Sequence, residues 1–229
     1  MKNNPIYCAI DTNNIDKAKD VAYKVKPYVA GLKLGLEFFT AHGMSGIKQI
    51  KELGLPLFID LKFYDIPNTV KKALRNILDV NPKFTTIHCN GGRKMLTECM
   101  TMKKEMQSST NIIGVTMLTS FDDHEIGEIG LKDSVQESIN RLAKLADDCD
   151  LDGLVCSPHE AKEIKIQFPK LQLIVPGIRR SSDEINDQKR ILSAKEALNN
   201  GADILVIGRP ITESADPAKA AEDILNEIQ

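Results

Sequence analysis

"LFIDLKFYDIPNT", residues 57–69, carries an apolar run into an Asp, a Lys and a second Asp, and then into a Pro. Residues two apart on a strand share a face, so Asp60 and Lys62 point one way while Leu57, Ile59 and Leu61 point the other. One Asp would make an adequate turn, so three charges at a strand end call for an explanation. Where this strand sits in the fold decides what the charges do.

The same unit recurs along the chain. Short runs rich in β-branched and apolar residues alternate with stretches of helical period. The expected strands are 6–11, 31–35, 57–62, 84–89, 112–118, 152–157, 171–176 and 203–208. The clearest helical segments are "IDKAKDVAYKVKPYV" and "DPAKAAEDILNEIQ", the latter with Asp216 as N-cap and Pro217 at the first helical position. Alternating strands and helices imply parallel strands joined by right-handed crossovers. Eight such units in 229 residues fit an α/β fold of the (β/α)8 TIM-barrel type better than an open doubly wound sheet. No GxGxxG follows the first strand, which argues against a dinucleotide fold. Linkers and low-complexity segments are lacking, so residues 1–229 read as one domain.

Composition narrows the function. Lys and Arg number 30 against 32 for Asp and Glu, a net charge of −2, which gives no reason to expect nucleic acid or an anionic membrane as partner. The N-terminus has no long apolar segment, and no stretch is long enough to span a bilayer, so a cytoplasmic protein is expected. The five cysteines are odd in number and scattered without a CxxC pair; they read as buried reduced thiols rather than disulfides or a zinc site.

In a barrel of this type reactive groups belong at the carboxyl ends of the strands. Asp11 ends the first strand, Lys33 lies near the end of the second, Asp60 and Lys62 end the third, and His88 ends the fourth. Asp11, Lys33, Asp60 and Lys62 should therefore meet in one pocket, with Asp65 a short loop away. Opposite charges at this range keep the lysines protonated and leave a fixed field for a substrate. Taken singly, Asp65 could instead cap the helix that Pro67 opens, and His88 reads as a hydrogen-bonded structural histidine. As a set, ordinary surface charges need not fall on successive strand ends with inward parity.

A second cluster follows the last two strands, in "VPGIRR" (175–180) and "VIGRPI" (206–211). Loops at these places often hold phosphate in such barrels. Gly177 and Gly208 allow close backbone approach, and Arg179 and Arg209 supply forked donors for phosphate oxygens. The plainer alternative is a pair of glycine turns with solvated arginines.

"DLKFYDIPNT" resembles the DxKxxD signature of the orotidine 5'-phosphate decarboxylase family, with the IPNT extension of its bacterial-type branch. "AID" (9–11), "KLG" (33–35), "HCNGG" (88–92), "MLTS" (117–120), "DGLVCS" (152–157), "VPGIR" (175–179) and "IGRPI" (207–211) fall in the family's order and spacing, so the resemblance covers the whole chain. It implies that Lys62 donates a proton, flanked by Asp60 and by Asp65 from a partner subunit. It places Lys33 and Asp11 between the ribose and the charged network, and Thr69 as a second contact across a homodimer. Thr119, with Ser120, would meet the pyrimidine. Arg179, Gln188, Gly208 and Arg209 would hold the nucleotide and its phosphate. The implied reaction is decarboxylation of orotidine 5'-monophosphate (OMP) to UMP and CO2, without metal or organic cofactor. Tyr64, where many members have His, and "HCNGG", where HAAGG is commoner, depart from the pattern at no position assigned to chemistry.

Two other readings compete. Magnesium-dependent sugar-phosphate decarboxylases and synthases with the same barrel also carry DxKxxD, but generally place a metal-binding Glu where this chain has Lys33. The other is a catalytically silent nucleotide-binding barrel, against which stands the retention of every charged position.

Overall fold

Eight parallel strands pair in sequence order and close on themselves in the computed structural model, which describes residues 4–178 and 192–229. They are β1 (Ile6–Ile10), β2 (Gly31–Leu34), β3 (Leu57–Phe63), β4 (Phe84–His88), β5 (Asn111–Val115), β6 (Gly153–Val155), β7 (Gln172–Val175) and β8 (Ile204–Ile207). β1 pairs with both β2 and β8, which closes the barrel as the eight strand–helix units lead one to expect. The helices are α1 (Ile15–Val25), α2 (Leu36–Lys51), α3 (Pro67–Leu78), α4 (Gly92–Glu105), α5 (Asp123–Glu128), α6 (Val135–Asp148), α7 (Ala161–Gln167), α8 (Ala194–Asn199), α9 (Arg209–Thr212) and α10 (Pro217–Glu227). The short α5 and α9 are additions to the simple repeat.

Local chemistry sets these boundaries. α1 begins where the Asn14 side chain accepts from the backbone N–H groups of Asp16 and Lys17. α10 begins at Asp216, which accepts from the Lys219 N–H, with Pro217 following as expected. α6 and α8 each open on a reciprocal Ser/Glu cap, Ser134 with Glu137 and Ser193 with Glu196. The expected strand 112–118 stops at Val115. Thr116 turns its hydroxyl to the Val155 carbonyl at 3.3 Å, and the chain beyond it leaves the sheet.

Two apolar layers result. Outside the sheet, Leu57, Ile59 and Leu61 join the helices in the larger core, as strand parity requires. Inside, Tyr7, Phe58 and Phe84 pack edge to face, with ring centroids 5.3 to 6.5 Å apart, together with Ile113, Ile174 and Ile204. A side chain at Gly31 would collide with the Tyr7 ring, so glycine is required on β2 to let this aromatic plug fill the barrel. Burial pushes the Tyr7 phenol up to about 12, and it stays neutral. This plug is the floor on which the charged residues stand.

The opposite face is pinned by one device used twice. Asp152 accepts from the Ile112 N–H at 2.7 Å and from Lys103 Nζ at 2.6 Å, tying the entry to β6 to β5 and α4. Asp203 accepts from the Leu173 N–H at 2.8 Å and from Lys165 Nζ at 2.7 Å, tying the entry to β8 to β7 and α7. Fixing the strand entries in this way fixes the register, and hence where their carboxyl ends emerge. All five cysteines are free and buried, and burial pushes Cys8, Cys89 and Cys99 up to about 12. Among the described residues, no helix is long and apolar enough to cross a membrane.

Candidate active site

A cavity of about 530 Å³ opens at the carboxyl ends of the strands. Asp11, Lys33, Asp60 and Lys62 line one side of it, and Gly177, Gly208 and Arg209 line another, so both charged clusters read from the sequence share one space. Thr119 lines it from the segment after β5.

The four charges form a chain. Lys33 Nζ lies 3.3 Å from both carboxylate oxygens of Asp11 and 3.8 Å from Asp60 Oδ2. Lys62 Nζ donates to the same Asp60 oxygen at 2.7 Å. Asp60 and Lys33 are each only 9% exposed, so these are desolvated charges that hold their places only because each is paired. Burial by itself pushes the Asp60 carboxyl up. Lys62, Lys33 and the hydrogen bonds from Lys62 and Thr86 outweigh it, and the net direction is downward. Asp60 is therefore ionised at neutral pH.

Lys62 has φ 48, the left-handed region that a residue with a Cβ rarely adopts, at a cost of about 1–3 kcal/mol. The pairing of β3 with β4 is irregular at this point. Ile59 faces Thr85 and Phe63 faces Ile87, so β3 advances from 59 to 63 while β4 advances from 85 to 87. Asp60, Leu61 and Lys62 thus lie on a bulge rather than on a flat strand.

His88 behaves as a structural residue. Its Nδ1 accepts from the Asn90 N–H at 3.4 Å, and its ring stacks on Tyr64 at 5.5 Å. Burial, and then the nearby Lys62, push its pKa down, so the ring is neutral at pH 7.

The remaining expected residues divide. Asp65, Thr69 and Ser120 are exposed and are not among the described residues that line the cavity. Asp65 does not cap α3 as the plainer reading allowed. Its carboxylate accepts from the neighbouring Ile66 N–H at 2.6 Å, and the N-cap position, Ile66, has no side-chain hydrogen bond. Arg179 and Gln188 lie outside the described residues. Sequence reasoning passed over Glu37, Met117 and Glu213, which also line the cavity. It also passed over Thr86, whose hydroxyl bonds to both Asp60 and the Lys62 backbone. Counting back two from His88 would have placed Thr86 on the inward face.

A closed (β/α)8 barrel with an ordered Asp–Lys–Asp–Lys chain at its mouth defines the class: an enzyme that works through fixed charges at strand ends. Its residues 4–224 match the orotidine 5'-phosphate decarboxylase / HUMPS family, and the chain belongs to that family. It is 48% identical to the orotidine 5'-phosphate decarboxylase of Ehrlichia chaffeensis, covering 100% of this chain and 98% of that one. With the enzyme of the same name from Sphingopyxis alaskensis it shares 47% identity, covering 96% of this chain and 97% of the relative. The crystal structure of orotidine 5'-phosphate decarboxylase from Lactobacillus acidophilus superposes with a TM-score of 0.85 at 30% identity, covering 99% of both chains.

Proposed function

We propose that the protein is a carboxy-lyase that converts OMP to UMP and CO2, with residues 1–229 working as one catalytic domain in a cytoplasmic homodimer. The observation that carries this reading is the Lys62 ammonium, held 2.7 Å from an ionised and buried Asp60 at the floor of the cavity. Loss of CO2 leaves an electron pair at C6 of the pyrimidine, in an orbital that no adjacent π-system can accept. An ammonium fixed at that carbon stabilises the developing charge and then delivers a proton to it. The C6–carboxylate bond breaks, CO2 leaves, and a Lys62 N–H bond is exchanged for the new C6–H bond. Asp60 holds Lys62 in line, while Lys33 links Asp60 to Asp11 and both face the ribose. Thr119, with Ser120, meets the base. Gly208 and Arg209 hold the phosphate, joined by Arg179 and Gln188. Binding energy taken from the phosphate, far from C6, serves to close the site around the base.

The magnesium-dependent alternative fits less well. Lys33 stands where those enzymes generally carry a metal-binding Glu, and its ammonium, 3.3 Å from Asp11 and 3.8 Å from Asp60, would repel a divalent ion. The deciding assay follows OMP loss by its ultraviolet absorbance, with and without EDTA. The expected result is turnover at the same rate in both. A rate that collapses on chelation and returns with magnesium supports the alternative, and no turnover in either supports a silent barrel.

Arg209 has its own test. Arg209→Ala is expected to weaken OMP binding about 10- to 100-fold, the scale of a lost charge-assisted hydrogen bond. Added guanidinium ion should recover part of the activity. An equal loss of affinity for orotidine, which lacks the phosphate, would remove Arg209 from the phosphate site.

A further inference from the structure

We propose that Thr86 is a positioning residue for the catalytic pair, its single hydroxyl setting both the direction of the Asp60 carboxylate and the twist of the backbone at Lys62. The inference rests on the functional reading above. Thr86 lies on β4, is fully buried, and is not among the described residues lining the cavity, so it acts through its neighbours. Its Oγ1 lies 2.9 Å from the Lys62 backbone nitrogen and 2.9 Å from Asp60 Oδ1. The hydrogen positions are not open to choice. The Lys62 N–H can only donate, and the ionised Asp60 carboxylate can only accept. The hydroxyl proton therefore points at Asp60 and a lone pair points at Lys62.

The bulge explains why a side chain is needed there. β3 spends two more residues than β4 between the pairs Ile59–Thr85 and Phe63–Ile87, and Lys62 sits on the surplus with φ 48. The Thr86 hydroxyl takes the Lys62 N–H that this bulge diverts from regular strand pairing. It anchors the strained residue at its backbone while Asp60 Oδ2 holds its side chain at 2.7 Å. Asp60 is in turn held from both sides, by Thr86 at Oδ1 and by Lys62 at Oδ2. A β-branched side chain is stiff about χ1, which makes threonine a rigid carrier for this hydroxyl.

Two substitutions separate positioning from packing. Thr86→Val keeps the shape and removes the hydroxyl; Thr86→Ser keeps the hydroxyl and gives up a methyl group. kcat and KM for OMP are measured per site that binds UMP, so that unfolded protein drops out. Thr86→Val is expected to lose about 100-fold in kcat, the scale of an ångström-level misplacement, with KM nearly unchanged. Thr86→Ser is expected to keep most of the wild-type kcat. If Thr86→Val yields no folded protein, Thr86→Ala, which also lacks the hydroxyl, makes the same comparison. A hydroxyl-free variant as active as Thr86→Ser, or one whose loss lies in KM alone, overturns the proposal. A wild-type protein that fails to turn over OMP overturns the functional reading instead.

Discussion

Lys62→Ala is expected to fold, to bind nucleotide, and to lose about 10⁴-fold or more in kcat, because one side chain carries both proton delivery and charge stabilisation. A positioned general acid contributes roughly 10²- to 10⁴-fold, and removal of a single electrostatic stabiliser costs roughly 10²- to 10³-fold. Lost together, the two effects multiply. The fold should survive because the outward face of β3 is untouched: Ile59 and Leu61 remain in the core, and the Lys62 side chain is itself one-third exposed. Asp60 keeps Lys33 at 3.8 Å and the Thr86 hydroxyl at 2.9 Å, so its charge is not left unpaired. Circular dichroism and UMP titration check folding and binding, and single-turnover assays check the rate. A variant that keeps near-full activity would remove Lys62 from the chemistry.

The second large effect concerns Asp65. It lies past the end of β3, exposed and turned to its own neighbour's backbone, between Tyr64 and Ile66 at 62% and 68% exposure. Two exposed large apolar side chains flanking an Asp fit a surface that a second copy covers. A two-fold interface makes any exchange of residues reciprocal. Lys62→Ala and Asp65→Asn dimers should then each be nearly inactive when pure, yet regain activity when mixed under conditions of subunit exchange. Equal amounts with random reassortment give half mixed dimers, each with one intact site, so about a quarter of all sites recover by two-fold reciprocity. If Asp65 serves its own chain, every site keeps one lesion and mixing restores nothing.

Much of this was legible in the sequence because two periodicities overlap. The alternation of β3 placed Asp60 and Lys62 on one face and Leu57, Ile59 and Leu61 on the other, and the structure keeps that division. The recurrence of strand and helix fixed the barrel, and with it the end at which Asp11, Lys33 and Arg209 meet. What stayed hidden depends on contacts between neighbouring strands rather than on the run of residues within one strand. No local propensity assigns a left-handed backbone to a lysine; the Lys62 conformation belongs to the β3–β4 register shift and to the hydroxyl on β4 that accepts its N–H. The end of β5 was read too far because "VTML" has a strand's composition, while the Thr116 hydroxyl and the needs of the cavity turn the chain away. Thr86 escaped notice for a related reason. A threonine in a strand looks like an ordinary β-former until its partners are seen.

The fold is expected to hold one ammonium at the carbon that loses CO2. The most direct measurement is a crystal structure of the protein with a UMP analogue bearing an oxyanion at C6, which places negative charge where the carbanion would form. Lys62 Nζ is expected about 3 Å from that oxygen, within hydrogen-bond reach, still held by Asp60, with the partner subunit's Asp65 beside it. A Lys62 turned away from C6 with its ammonium out of hydrogen-bond reach would show that this ammonium does not stabilise the carbanion.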